Sequence, residues 1–220
     1  MKVRFLFLGF LSVALAGLWP SVNGQISNRV GFYLGPQVIL PSAENNGIRY
    51  DAGLRFVLGV YHEVALGKHF SIVSEINYSG LGTRSDLVLL NNSGTPIGTA
   101  AYSQNLNYGQ VPVLFRLRSG GDWLSAHVEA GPYVGVLLTA KGRLTDDSGV
   151  LPDEVTDIRE NFESFDWGLK AGVGLDFQPV PQHIFTLGVR FAQGFYPVQA
   201  ATGLQNRAIA LQLGYVFRIQ

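Results

Sequence analysis

The sequence contains no cysteine. Its absence removes disulfides, thiolate metal sites, a cysteine nucleophile and a lipidated cysteine together, so any membrane anchor must come from the fold. Charge is scarce as well: only 15% of residues are charged, with 16 basic and 16 acidic side chains and a sequence pI near 6.9. Such a balance supplies no basic field to hold a nucleic-acid backbone and no polybasic arm for an anionic leaflet, so nucleic acid is not an expected partner. Beyond the N-terminus no uncharged apolar run reaches the roughly 20 residues of a spanning helix. Yet 47% of residues are hydrophobic and 27 are glycine. Apolar content that is plentiful but never continuous belongs in alternating strands, and 220 residues fit one domain.

The N-terminus is the exception. Lys2 and Arg4 precede an apolar stretch from Phe5 to Trp19, the breaker Pro20, and the small-residue pattern Val22-Asn23-Gly24. Residues 1–24 therefore read as a cleaved signal peptide for export and 25–220 as the mature domain, because about 15 apolar residues are too few to span hydrocarbon as a helix.

Eight runs in the mature part alternate with period two: Arg29 to Leu40, Tyr50 to Leu66, Phe70 to Leu81, Gln104 to Ser119, Trp123 to Ala140, Phe165 to Val180, His183 to Tyr196 and Arg207 to Ile219. In the last, Ile209, Leu211, Leu213, Tyr215, Phe217 and Ile219 share one face, against small or polar residues on the other. Each run meets the roughly 9 to 11 residues that cross a bilayer as a tilted strand. Short connections at Gly67-Lys68, Gly120-Gly121-Asp122 and Pro181-Gln182 alternate strictly with longer ones at Pro41 to Arg49, Gly82 to Ser103, Lys141 to Ser164 and Pro197 to Asn206. That beat suits tight periplasmic turns and longer outer loops, and a Greek-key sandwich has no reason for it. The expected fold is thus all-β, an eight-stranded antiparallel up-and-down transmembrane β-barrel in the outer membrane, in contact with its lipid. Aromatic girdles are expected from Trp123, Phe177, Phe185, Tyr215 and Phe217 at the periplasmic side and Tyr50, Phe165, Trp167 and Phe195 at the outer side. Pro36, Pro112 and Pro132 lie inside runs, where a missing N–H predicts local bulges.

The segments Tyr108 to Arg116, Ala130 to Leu138 and Phe165 to Gly174 resemble the outer-membrane β-barrel domain of PorT-like, "porin family" proteins of the Bacteroidota. The resemblance covers the mature chain and implies a barrel without fixing an activity; it raises an accessory role in type IX protein secretion, with secretion-machinery subunits as partners. Gln212, Gly214, Phe217 and Ile219 are similar to the C-terminal signal read by the barrel assembly machinery, although the chain ends in Ile219-Gln220 rather than an aromatic residue.

Eight strands leave an interior that side chains can fill. With the apolar faces toward lipid, Arg55, Glu63, Glu75, Asn77, Gln110, Arg116, Glu129, Asp166, Lys170, Asp176, Arg190 and Arg218 point inward, beside Tyr61, Tyr108 and Tyr133. Charges in so little water must be paired, which predicts a lumenal ion network drawn from Arg55, Glu75, Arg116, Glu129, Asp166, Lys170, Asp176, Arg190 and Arg218. Plugging the barrel is the plain reading of that network, and a narrow ion or solute path is the other.

Catalysis is not expected. Ser125, His127 and Glu129 share a face, but residues two apart on a strand are separated by roughly 6.6 to 6.8 Å, too far for a serine–histidine hydrogen bond of ~3 Å. His62, His69, His127 and His183 lack metal-ligand spacing, and the acidic run from Lys141 to Ser164 lacks the calcium-loop pattern, so neither metal nor cofactor is expected. What remains is a structural or interaction barrel whose long loops meet extracellular protein partners.

Overall fold

Strand geometry turns side chains alternately to opposite faces, so each alternating run becomes a ribbon with one greasy and one polar side. The computed structural model describes residues 27–40, 52–91, 93–146, 154–199 and 203–219. The signal segment, Tyr50 and Gln220 lie outside them. Ten strands form: β1 (Ser27–Ile39), β2 (Gly53–Ala65), β3 (Phe70–Leu81), β4 (Arg84–Leu90), β5 (Pro96–Gly120), β6 (Leu124–Asp146), β7 (Glu154–Asp157), β8 (Phe165–Val180), β9 (His183–Gln199) and β10 (Leu204–Ile219). Eight of them, β1, β2, β3, β5, β6, β8, β9 and β10, pair antiparallel in chain order around a ring. The ring closes where β1 meets β10, from Asn28↔Ile219 to Ile39↔Ala208. Closure satisfies the ladder on every stave, as it must where an unpaired backbone group in hydrocarbon costs several kcal/mol.

The outward faces are predominantly apolar, with His62 opposite Ser74 as a polar exception. Phe32, Phe56, Leu58, Leu211, Leu213 and Phe217 are between 43% and 65% exposed. A greasy belt this wide is stable only against lipid. Ring pairs frame it: Trp123 meets Phe177 edge-on at 5.0 Å and Phe185 meets Tyr215 at 5.5 Å near the short turns, while Trp167 meets Phe195 at 5.3 Å toward the other end.

The long connections are more ordered than expected. Gly82 to Ser103 is not an open loop: after Gly82, whose φ of +118° suits glycine, β4 runs along the first half of β5, from Arg84↔Ser103 to Leu90↔Pro96. The Asn91 side chain closes that hairpin by accepting the backbone N–H groups of Ser93 and Thr95, each at 2.9 Å. Likewise β6 continues to Asp146, and β7 pairs with it at Lys141↔Asp157 to Leu144↔Glu154. A four-stranded sheet, β4-β5-β6-β7, therefore projects beyond the barrel on the long-loop side.

The prolines correct the expectation of bulges. Register is unchanged across Pro36, Pro112 and Pro132 on both flanking strands. Gly35 and Gly131, which precede two of them, explain how: a Cβ there would stand 1.7 Å from the Leu211 carbonyl oxygen and 2.0 Å from that of Val113. The neighbouring strand closes in where the N–H is missing, and no extra residue is inserted. A bulge does occur elsewhere in the ring, where Asn107 pairs with Thr139 but Tyr108 with Leu137. Leu138 is the extra residue, and beyond it the inward set of β6 changes from odd to even positions.

Candidate functional site: the filled lumen

Every stave sends polar side chains inward, and their closest meeting is in the middle of the barrel. Arg116 of β5 binds Glu129 of β6 at 2.7 Å and Glu63 of β2 at 2.8 Å. Arg190 of β9 donates to Glu75 of β3 at 2.8 Å and also to Glu129. Glu63 further accepts from Arg118 at 2.8 Å and from Arg29 at 3.4 Å. Arg118 in turn reaches Asp176 of β8 at 2.8 Å, and Asp176 lies 3.2 Å from His127 Nδ1. Four arginines and four carboxylates thus form one continuous belt spanning seven of the eight staves. Buried ions of one sign would be prohibitive, and the balance makes this belt tolerable.

Tyrosines brace it. The guanidinium of Arg116 lies 5.7 Å from the Tyr61 ring and that of Arg190 5.3 Å from Tyr33, whose hydroxyl donates to Glu75 at 2.9 Å. These rings lie flat over glycines of the next strand: a Cβ on Gly31 would meet Tyr61 at 2.7 Å, and one on Gly59 would meet Tyr33 at 2.9 Å. The absence of side chains at those two positions is what makes room for the rings.

A second tier sits closer to the long-loop end. Lys170 donates to Gln110 at 2.7 Å and lies 5.2 Å from the Tyr133 ring, while Asp166 accepts from Tyr133 at 3.0 Å and Asn206 at 2.9 Å. The expected network included both charges. They are inward and buried, but hydrogen bonds to neutral groups hold them rather than ion pairs.

Above this tier the lumen turns apolar. Ile39, Leu81, Leu106, Tyr108, Leu137 and Val198 pack with Ile158 and Phe162, which the chain brings back over the mouth after β7. Backbone bonds pin that return: Ile158 N–H to Ala140 at 3.1 Å and Glu163 N–H to Val198 at 2.9 Å. Two internal voids of about 20 Å³ lie beside the belt and beside Lys170. Each is about the size of one water.

Arg55 and Arg218 depart from the expected network. Both are on the inner face, but among the described residues the Arg55 side chain donates to the Leu54 carbonyl at 3.1 Å and that of Arg218 to Gln178 at 3.4 Å, with no ion pair for either. They stand at opposite ends of the barrel, beyond reach of the central carboxylates. Conversely Arg29, Arg118, His127 and Tyr33 belong to the central cluster and were not anticipated there. Arg118 shares parity with Arg116, and that was the available signal.

The sequence-derived assembly residues lie on β10, with Gln212 buried inward, Phe217 and Ile219 outward, and Gly214 between them. His127 turns to Asp176 and not to Ser125, and no hydrogen bond joins Ser125 to His127. His183 meets Tyr215, and His69 meets the Arg118 carbonyl at 3.1 Å. No cluster of His, Asp and Glu able to hold a metal occurs among the described residues.

Residues 21–199 match the family model for an outer membrane protein beta-barrel domain. None of the curated proteins matches the chain. Among solved structures, the chain is similar to Neisserial surface protein A at 11% identity, over 87% of this chain and 97% of that one, with a TM-score of 0.50. Similarity extends to the outer membrane protein OprG from Pseudomonas aeruginosa (11% identity, 90% and 99% covered, TM-score 0.46). It extends also to Ail, the attachment invasion locus protein of Yersinia pestis (11% identity, 88% and 100% covered, TM-score 0.43). At such identities the likeness is one of fold.

Proposed function

The chain belongs to the outer membrane protein beta-barrel domain family and resides in the outer membrane, and from that premise we propose that it is a plugged scaffold whose projecting sheet meets partners outside the cell. The observation that carries this reading is the filling of the lumen in series by the arginine–carboxylate belt, the Lys170 tier and the Ile158–Phe162 cap. The voids of about 20 Å³ beside the belt and beside Lys170 each have room for about one water, which supports the plug. Function then falls to the parts outside the membrane, foremost the ribbon of β4 and β5. Single-channel recording of the refolded chain in planar bilayers tests the plug. A silent membrane is expected, and stable unitary conductance would overturn it.

This reading assigns Ser125 no catalytic role, and the turn of His127 toward Asp176 supports that. Loss of a lipid hydrolase activity in Ser125→Ala would contradict that. The motifs Tyr108 to Arg116 and Ala130 to Leu138, which form neighbouring staves here, support a second reading as an accessory of protein secretion. Secretion-machinery subunits recovered with the barrel from membranes, and cargo retained in a deletion strain, would favour it over the scaffold.

A further inference from the structure

At the short-turn end a cavity of about 120 Å³ opens among Arg29, Arg118, Arg218, Lys68, His69 and Asp176. Arg29 and Arg218 stand directly opposite each other on β1 and β10, and both are on the inner face. Like charges in cross-strand register repel, so this pairing costs stability unless something answers it. The protein answers it poorly. Arg29 has Glu63 at 3.4 Å, but Glu63 already takes 2.8 Å bonds from both Arg116 and Arg118. Arg218 makes no ion pair among the described residues, and its side chain holds the Gln178 amide oxygen at 3.4 Å.

The Nε atoms of both arginines are buried without a hydrogen-bond acceptor, and the Arg29 side chain is only 11% exposed. Of the acids on the lining, Asp176 is committed to Arg118, His127 and Thr186. Asp122 lies exposed in its turn and makes no ion pair among the described residues. Two guanidinium groups with spare Nε donors therefore meet in a polar cavity whose buried acid, Asp176, is taken up by other partners. A planar carboxylate offers two oxygens and satisfies one fork, whereas a phosphate group has further oxygens for the second.

We propose that the periplasmic mouth of the barrel is an anion site that holds a phosphate group between Arg29 and Arg218. The group could belong to free phosphate or to the headgroup of a lipid in the inner leaflet. Its chemistry is the same in both. The site lies at the opposite end from the projecting sheet and does not depend on whether the lumen conducts.

Calorimetric titration of inorganic phosphate into the refolded full chain, held in nanodiscs of zwitterionic lipid, tests the site. Saturable binding is expected, weakened about tenfold in Arg218→Gln and in Arg29→Gln, since one charge-assisted contact of ~1.4 kcal/mol is a factor of ten. Arg55→Gln, at the other end of the barrel, should bind as the parent does. Discs containing phosphatidylglycerol separate the sources: weaker apparent phosphate binding there identifies the headgroup as occupant, and unchanged binding identifies the free ion. No saturable heat in zwitterionic discs, or equal affinity in parent and Arg218→Gln, would overturn the proposal. Heat-modifiable migration on gels checks that each variant has folded. Should Arg218→Gln fail that check, Arg29→Gln and the charge-retaining Arg218→Lys carry the same comparison.

Discussion

Glu129 answers two arginines at once, Arg116 and Arg190, whose other carboxylates among the described residues are Glu63 and Glu75 respectively. Its removal leaves a buried surplus of positive charge at the centre of the belt. Truncating one member of a buried pair costs about 3–5 kcal/mol, so Glu129→Ala should fall by that much in urea unfolding measured in lipid vesicles. Arg55→Ala should change stability by less than ~1 kcal/mol in the same assay, because no carboxylate among the described residues pairs with it. Both residues were expected in one network. Period-two alternation reports which face a side chain takes, and on that it was right for each. Height along the barrel follows from strand tilt and stagger, which alternation does not encode, so the ends could not be told from the middle. Arg118 was hidden for the same reason: it shares the face of Arg116, and only the stagger of β5 against β2 and β8 brings it to Glu63 and Asp176.

At the scale of the element, the seam between β1 and β10 is the one ladder that joins the two ends of the chain. Gly35 lies in it with no space for a side chain, since a Cβ would sit 1.7 Å from a backbone oxygen that cannot turn away. Gly35→Ala should therefore destabilise by more than the ~1–3 kcal/mol of ordinary overpacking, and the variant should lose heat-modifiable migration as the seam fails to close. Strands were legible wherever one side met lipid. Thus β3 and β8 have the bounds that alternation gives, Phe70–Leu81 and Phe165–Val180. The start of β5, from Pro96, and all of β4 and β7 were not legible. Outside the membrane small or polar residues such as Ser85 and Ala100 take the buried side while Val88 and Ile97 are exposed, so the greasy-polar alternation is lost and hydrogen bonds to a long neighbour hold these segments as strands.

For the whole molecule, the proposed plug consists of barriers in series, and one alone should suffice to block ions. Phe162→Asp, which breaks the apolar cap, should leave planar bilayers silent while the belt stands. Combining it with Glu129→Ala should produce measurable leak. Conductance from the cap variant alone would mean that the belt is not tight.

The length of β5 has a mechanical consequence. Its 25 residues, at about 3.4 Å each, make a rod of roughly 85 Å, whereas an apolar band ~25 Å tall at a tilt near 45° uses only about 35 Å of it. The part of that excess on the long-loop side, Pro96 to Asn105 ahead of the first β3 pair at Leu106, is about 34 Å of strand; backed by β4 and β6, it is a stiff mast rising roughly 24 Å at that tilt. Contact made at its tip would occur well above the lipid surface, and load applied there would be carried straight into the wall of the barrel through unbroken main chain.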